Sequence, residues 1–312
     1  MSPQPLSNGI SVVVPAFNAA VTIASALDSA LVPSSIPVEV VVVDDASSDE
    51  TSDVVGQIAR RDPRVRLLRL PENRGPSYAR NRGAELARYE WIGLLDADDR
   101  WTPGRLERLA GVVESTGAEV VSDDIEVVDL RGLRWSLNAL HGWRPRPNDP
   151  FDLLHYARHG WVVQPVFTKR LFTGGGFDER VAYGEDALLF MKWLLQGVGW
   201  FVHPAVGYEY VRRQGSLTGG GGEPRQLVGV IERSQREAEV HGRADVAHAL
   251  QPRLRRALAD AAFADFVRVL RAGRRRPTIR AAAALAPHLL ELSKRGGAGI
   301  ARRARALIPG KS

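Results

Sequence analysis

The stretch Trp91-Ile92-Gly93-Leu94-Leu95-Asp96-Ala97-Asp98-Asp99 runs from a short apolar segment straight into three carboxylates within four residues. Trp91 to Leu95 reads as a buried strand bounded by a polar turn. A strand that empties into an acidic loop sets its carboxylates at the carboxyl edge of a sheet, where open α/β sheets bind ligands. Crowded carboxylates repel one another and call for a cation. Hard oxygen donors suit Mg²⁺ or Mn²⁺, with ligand phosphates completing the shell. The plain alternative is a solvated turn ahead of a helix, with Asp99 or Thr102 as its cap. The flanking segments decide between the two.

Upstream, Ile10 to Val14 is an apolar, β-branched run stopped by Pro15, which reads as a buried parallel strand. Val21 to Leu31 carries apolar residues at helical spacing and ends before Pro33. Val38 to Val43 is a second buried strand, ending in Asp44-Asp45-Ala46-Ser47-Ser48-Asp49-Glu50-Thr51. A helix is expected to start within that segment, capped by its Ser and Asp side chains, and to run to about Arg60. Val65 to Leu70 is a third strand, Ser77 to Ala87 a third helix, and the Trp91 strand follows. The alternation predicts an α/β fold with a mostly parallel sheet, right-handed crossovers and helices on both faces. Two strands end in acidic clusters that should lie along one edge. No Gly-x-Gly-x-x-Gly follows the first strand and no Walker lysine loop is present, so the usual dinucleotide and P-loop sites are poor fits.

The bulk numbers set limits. The 312 residues suffice for one full core and an appended subdomain. With no cysteine, disulfides, thiolate metal sites and cysteine nucleophiles are excluded. Met1 to Asn8 is polar, so no signal peptide is expected. No apolar run approaches the ~18 residues of a spanning helix. A cytoplasmic protein is the expectation, with contact at the inner face of a membrane as its variant. The net charge of +6 is uneven. Residues 225–312 hold 19 basic and 7 acidic side chains, and residues 1–224 hold 23 and 29. The basic helices lack interleaved aromatics, so no nucleic-acid partner is expected.

Four segments carry a resemblance: Val12-Val13-Val14-Pro15-Ala16-Phe17-Asn18, Val42-Val43-Asp44-Asp45-Ala46-Ser47-Ser48-Asp49-Glu50-Thr51, Asn73-Arg74-Gly75-Pro76-Ser77-Tyr78-Ala79-Arg80-Asn81-Arg82-Gly83, and Leu95-Asp96-Ala97-Asp98-Asp99. Together, and in this order, they resemble the family 2 glycosyltransferases, which have the GT-A fold and invert at the anomeric carbon. The resemblance covers roughly residues 9 to 218. It implies a nucleotide-diphosphate sugar as donor, UDP first with GDP and dTDP behind it, and Mn²⁺ or Mg²⁺ as cofactor. It places Phe17 and the Pro15 backbone beside the nucleobase and Asp45 as acceptor from the base, with Asp44 bracing the loop. Asp96 contacts the ribose or nucleotide, and Asp98 binds the metal on the diphosphate. Arg80, one helical turn from Ser77, reaches the nucleotide or pairs with an aspartate. In Tyr183-Gly184-Glu185-Asp186 it places the catalytic pair Glu185 and Asp186, with Asp186 at the base position. A carboxylate pair opening a helix is also what the helix dipole favours. Arg212 and Arg213 match a basic segment that neutralises the diphosphate leaving group.

Beyond these segments, Val120 to Asp124 reads as a short strand with an acidic end. Leu130 to Asn148 reads as a loop or hairpin in which Trp135, His141, Trp143 and Arg144 are candidates for acceptor contact or for anchoring the loop. Val162 to Thr168, broken by Pro165, suggests an edge strand. Trp200–His203 and Val206–Val211 read as two strands, and His203 as a packed residue or a metal or phosphate neighbour. The expected organisation is a GT-A catalytic domain over residues 1–222 and a basic helical extension over 223–312. That extension carries an apolar stripe from Leu254 to Leu270, suited to packing, to a homodimer or to a membrane surface. The acceptor class is a glycan, a lipid-linked sugar or a small molecule. Two other readings share parts of the pattern: a sugar-phosphate nucleotidyltransferase and a non-catalytic nucleotide-sugar binding module.

Overall fold

The computed structural model describes residues 3–140, 142–160, 162–172, 175–212, 224–271 and 288. Its strands are β1 (Ile10–Ala16), β2 (Val38–Asp44), β3 (Val65–Arg69), β4 (Trp91–Leu94), β5 (Arg100–Trp101), β6 (Val120–Val128), β7 (Arg134–Ser136), β8 (Asp149–Pro150), β9 (Val166–Thr168) and β10 (Trp200–Val211). Its helices are α1 (Ile23–Ala30), α2 (Thr51–Arg61), α3 (Pro76–Leu86), α4 (Arg105–Thr116), α5 (Leu137–Leu140), α6 (Leu153–His159), α7 (Glu185–Leu195), α8 (Pro224–Val240) and α9 (Ala244–Arg271). Two compact units divide the chain. One is Met1–Asp152 with Trp161–Arg212, and the other is Leu153–Gly160 with Arg213–Ser312.

The first unit is built on one sheet in the order β3-β2-β1-β4-β9-β6-β10-β5, with β7 on β6 and β8 on β10. The β3-β2-β1-β4 half is parallel throughout, as the repeating strand–helix pattern demands. β2 is buried along its whole length, which explains its unbroken valine run. Pro76 opens α3 at a position where its missing N–H costs no helical bond. Gly83 lets α3 close on β1, because a side chain there would run into Val13.

The second half departs from expectation in three places. β9 is not an edge strand: it lies between β4 and β6, antiparallel to both. Pro165 precedes its first paired residue, so no ladder bond is lost. β6 does not stop at Asp124 but runs on to Val128. Asp123 and Asp124 are buried mid-strand, where ion pairing and hydrogen bonding replace water. The two strands expected over 200–211 are one, β10, interrupted only by register shifts around Val206. The hairpin alternative holds for the 130–148 region, since β7 folds back on β6, and α5 follows. Because β9 runs opposite to both β4 and β6, and β6 is parallel to β10, the strands β1, β2, β4, β6 and β10 all point their carboxyl ends to one edge.

The second unit is helical. α8 and α9 form an antiparallel pair, tied by Gln235 Nε2 donating to the Ala247 carbonyl at 3.1 Å and by Arg225 to Asp265 at 2.6 Å. α6 belongs with these helices: Arg253 of α9 donates to the Tyr156 and Ala157 carbonyls. The buried residues of α9 include Val246, Ala249, Leu250, Ala257, Ala259, Ala261 and Ala264. Leu254 and Leu258, at the head of the expected stripe, are half-buried beside it. The Phe266, Val269 and Leu270 side chains of that stripe, and the extension beyond residue 271 apart from His288, lie outside the described residues. Among the described residues no helix is long and apolar enough to cross a membrane.

Candidate active site

The loops after β1 and β2 are stitched together at the carboxyl edge. Asp49 meets the start of α2 as expected, its Oδ1 accepting from Thr51 N at 3.0 Å. Ser47, Asp49 and Thr51 also reach across to the first loop, where their oxygens accept from the backbone N–H groups of Asn18 at 2.9 Å, Ala20 at 3.1 Å and Ala19 at 2.8 Å. Asn18 Oδ1 accepts in return from Ser48 N at 2.9 Å. Both loops hold a non-glycine residue in the left-handed region, Asn18 at φ 50° and Ala46 at φ 58°, a conformation that surrounding contacts must enforce. The result holds Phe17 outward, 52% exposed. Asp44 braces the loop, accepting from Ser47 N at 3.0 Å. Asp45 is buried, and its two oxygens accept from the N–H groups of Arg74 at 2.8 Å and Gly75 at 2.7 Å. Those two bonds tie the end of β2 to the entry of α3. Each carboxylate oxygen has a second lone pair, so Asp45 retains capacity for another donor.

α3 is the hub of the edge. Ser77 and Asn81, four residues apart, face the same way. Ser77 Oγ donates to the Val181 carbonyl at 3.4 Å. Asn81 donates to the Phe177 carbonyl and accepts from Phe177 N, both at 2.9 Å. They hold the chain leading into α7. Between them, Arg80 donates from Nη2 to Asp96 Oδ1 at 2.9 Å and from Nη1 to Glu185 Oε1 at 2.6 Å. Both alternatives for Arg80 named a single partner; it has two, one from each candidate motif. Burial works to lower the Arg80 pKa, and the Asp96 and Glu185 charges override it, so the guanidinium is held above its ordinary value.

Glu185 and Asp186 open α7 behind Gly184, which takes φ 77° at the helix N-cap. Glu185 is buried against Arg80, while Asp186 is half-buried and accepts from Ala187 N at 2.7 Å. Burial, reinforced by the Glu185 charge and only partly opposed by Arg80, pushes the Asp186 carboxyl up to about 6. A carboxyl poised there is a base near neutral pH. Tyr183 faces the pair, and burial with both carboxylate charges raises its phenol.

The acidic turn after β4 splits its carboxylates. Asp96 takes Arg80, with Gln164 Nε2 at 3.5 Å from its other oxygen. Asp98 is half-exposed. Asp99 is only 1% exposed, and accepts from Tyr208 Oη at 2.8 Å and Val211 N at 2.9 Å. Burial and the neighbouring Asp96 and Asp98 charges lift the Asp99 carboxyl well above the usual range. Among the described residues no group of three or more His, Asp or Glu side chains is arranged as a metal cage. The hard oxygens that this turn offers are those of Asp96 and Asp98, the donor type Mg²⁺ takes.

Arg212 ends β10 on the same edge. Its N–H donates to the Val128 carbonyl at 2.9 Å and its guanidinium lies 5.5 Å from the Trp135 ring centre. Arg213 and His141 lie outside the described residues. Trp143 is not brought to this edge. Trp143 packs edge-on against Phe151, which stacks at 4.3 Å on Trp200, at the amino end of β10. These contacts anchor Trp143, while Trp135 of the same loop lies beside Arg212. His203 is packed, accepting from Ala205 N at Nδ1, with burial lowering its pKa. Sequence reasoning missed Tyr208, Gln164 and the Ser77–Asn81 face. Only the last carried a signal, its helical spacing.

Residues 11–172 match the family model described as glycosyl transferase family 2. The chain belongs to that family. Among its relatives, the succinoglycan biosynthesis protein ExoO of Rhizobium meliloti (strain 1021) is 39% identical over 218 residues, 67% of this chain and 62% of that one. ExoU of the same organism, also named for succinoglycan biosynthesis, is 30% identical over 67% of this chain and 64% of its own. The chain thus spans a little under two thirds of the length of either relative. Among solved structures, S. aureus TarS 1–349 in complex with UDP-GlcNAc superposes with a TM-score of 0.66 at 22% identity, covering 96% of this chain and 90% of that one. That likeness shows the fold, the GT-A arrangement of a mostly parallel sheet flanked by helices.

Proposed function

We propose that this family 2 chain is an inverting glycosyltransferase that moves a sugar from a nucleotide-diphosphate donor, a UDP-sugar first, to an acceptor hydroxyl in polysaccharide or other glycoconjugate synthesis. The observation that carries the reading is the Arg80 bridge: it ties the Asp96 turn to Glu185, beside the Asp186 carboxyl poised at about 6. A donor-binding turn and a base are thereby coupled at one edge. The names of the relatives support polysaccharide synthesis, and the UDP-GlcNAc complex of TarS supports the donor class.

In this reading Phe17 lies on the nucleobase, with the Pro15 backbone beside it, and Asp45 fixes the loop and accepts from the base. Asp96 contacts the nucleotide, and Arg212 with Arg213 neutralises charge on the departing diphosphate. Asp98, with Asp96 as neighbour, would hold Mn²⁺ or Mg²⁺, which would supply Lewis-acid stabilisation of the diphosphate. Asp186 takes the acceptor proton as the hydroxyl oxygen bonds to the anomeric carbon. The bond from that carbon to the diphosphate oxygen breaks, and its electron pair leaves with the nucleoside diphosphate. Attack opposite the leaving group inverts the centre. Glu185 keeps Arg80 in place and Asp186 basic. The acceptor is a glycan, a lipid-linked sugar or a small molecule. The basic C-terminal helices offer a peripheral membrane contact or a homodimer surface for a cytoplasmic enzyme.

Calorimetry with a panel of nucleoside diphosphates and nucleotide-sugars, with and without Mn²⁺, tests the donor. Metal-dependent binding of one of them is expected. Proton NMR of the product tests the stereochemistry. Failure of every nucleotide to bind, or retention at the anomeric carbon, would overturn the reading.

A further inference from the structure

Tyr208 lies on β10 and is buried, yet its hydroxyl sits inside the acidic turn. It donates to Asp99 Oδ2 at 2.8 Å and accepts from the Asp96 backbone N–H at 3.1 Å. The Asp99 N–H donates back to the Asp96 carbonyl at 3.0 Å. Three hydrogen bonds thus close a ring around Asp96-Ala97-Asp98-Asp99. The other Asp99 oxygen accepts from Val211 N at 2.9 Å, the residue before Arg212. Past the turn, β5 pairs with β10, with Trp101 opposite Tyr208 and Arg100 opposite Glu209, and Arg100 Nε reaches Glu209 at 3.0 Å.

We infer that Tyr208 and Asp99 are positioning residues, which fix the Asp98 carboxylate relative to Arg212 by clamping the acidic turn to the end of β10. Asp99 is turned inward and only 1% exposed, so it acts through Asp98 and does not itself face the donor. The physical need is clear. Three carboxylates in four residues repel and would splay a free turn, and a carboxylate that binds a metal must be held to about 0.5 Å. One buried side chain that bonds both the turn and the strand bearing Arg212 sets the two charges that the diphosphate meets. Partners of this kind typically govern metal affinity by about 10–100-fold.

The inference rests on the donor-site reading above, and the test separates the two. UDP binding is titrated with Mn²⁺ by calorimetry for the full chain, for Asp98→Ala and for Tyr208→Phe, which keeps the ring and removes only the hydroxyl. Tyr208→Phe is expected to raise the Mn²⁺ concentration for half-maximal UDP binding by about tenfold or more. UDP affinity in EDTA should stay unchanged. Asp98→Ala should abolish the metal dependence. If Tyr208→Phe is destabilised but keeps the wild-type metal midpoint, Tyr208 is a packing residue and the inference falls while the donor site stands. If Asp98→Ala keeps the wild-type metal dependence, both fall. Should Tyr208→Phe not fold, Asp99→Asn carries the same titration: it retains one carbonyl oxygen for two donors, and an unshifted midpoint overturns the inference.

Discussion

Arg80 and Glu185 stand 105 residues apart in the chain and share a 2.6 Å hydrogen bond, while the second Arg80 nitrogen holds Asp96 at 2.9 Å. One guanidinium therefore couples the turn read as the donor site to the pair read as catalytic. Its charge also acts on Asp186, opposing the effects of burial and of Glu185.

Replacing Arg80 should therefore move a pH profile. Without its positive charge the ionised form of Asp186 is less favoured, so the carboxyl rises further above 6. If Asp186 is the base, kcat/KM climbs with pH as the carboxyl loses its proton, and this limb reports the free enzyme. Arg80→Met is expected to shift the limb to higher pH, with Arg80→Lys in between. A limb fixed at the wild-type midpoint in Arg80→Met would disconnect Arg80 from Asp186.

Asp186→Asn should keep donor binding and lose transfer by about 10²–10⁴-fold. It also has a stability signature. A carboxyl whose folded pKa is raised favours the protonated folded state, so its contribution is complete below its unfolded value. That contribution is lost as pH rises toward about 6. The wild type should lose stability relative to Asp186→Asn between pH 4 and 7. Paired melting curves check this, and parallel curves across that range would contradict the assigned ionisation.

The parallel half of the fold was legible because its strands are apolar runs separated by helices of ordinary length. The other half hid for definite reasons. β9 shows only three paired residues behind Pro165. Asp123 and Asp124 look like a strand end because charges usually mark one, and only the structure supplies Arg105 and Asn138 to satisfy them. In the site, the acidic segments could be located in the sequence, and the family resemblance implied their roles. Tyr208 could not, since nothing in Gly207-Tyr208-Glu209-Tyr210 indicates which tyrosine turns inward toward a loop 109 residues earlier. Arg80 carried two readings because a helix position does not say which of two approaching carboxylates it meets.

Phe17 should separate binding from stability. At 52% exposure it contributes little to the core, so Phe17→Ala should change stability by no more than about 0.5 kcal/mol. If the ring stacks on the nucleobase, the variant loses on the order of 1–3 kcal/mol of nucleotide affinity. Pyrophosphate, which has no base, should bind as before. Equal losses for UDP and pyrophosphate would place the effect on the loop and not on stacking.

Asp123 tests the half of the sheet that the sequence misread. Its carboxylate forms a bidentate pair with Arg105, both contacts at 2.9 Å and both side chains 1% exposed. The guanidinium also donates to the Gln164 carbonyl at 2.6 Å and lies 4.6 Å from the Trp101 ring centre. Burial raises the Asp123 acid and Arg105 only partly offsets it, so the pair sits where a lone charge is costly. Asp123→Ala leaves Arg105 buried without its counter-charge and should cost about 3–5 kcal/mol. Arg105→Met combined with Asp123→Leu removes both charges and should recover most of that loss, because an apolar pair of similar volume needs no desolvation. Denaturant unfolding of Arg105→Met, of Asp123→Leu and of the double variant measures the coupling. If the double variant is as unstable as the sum of the singles, the two residues are uncoupled, and the pair is not what holds α4 to β6.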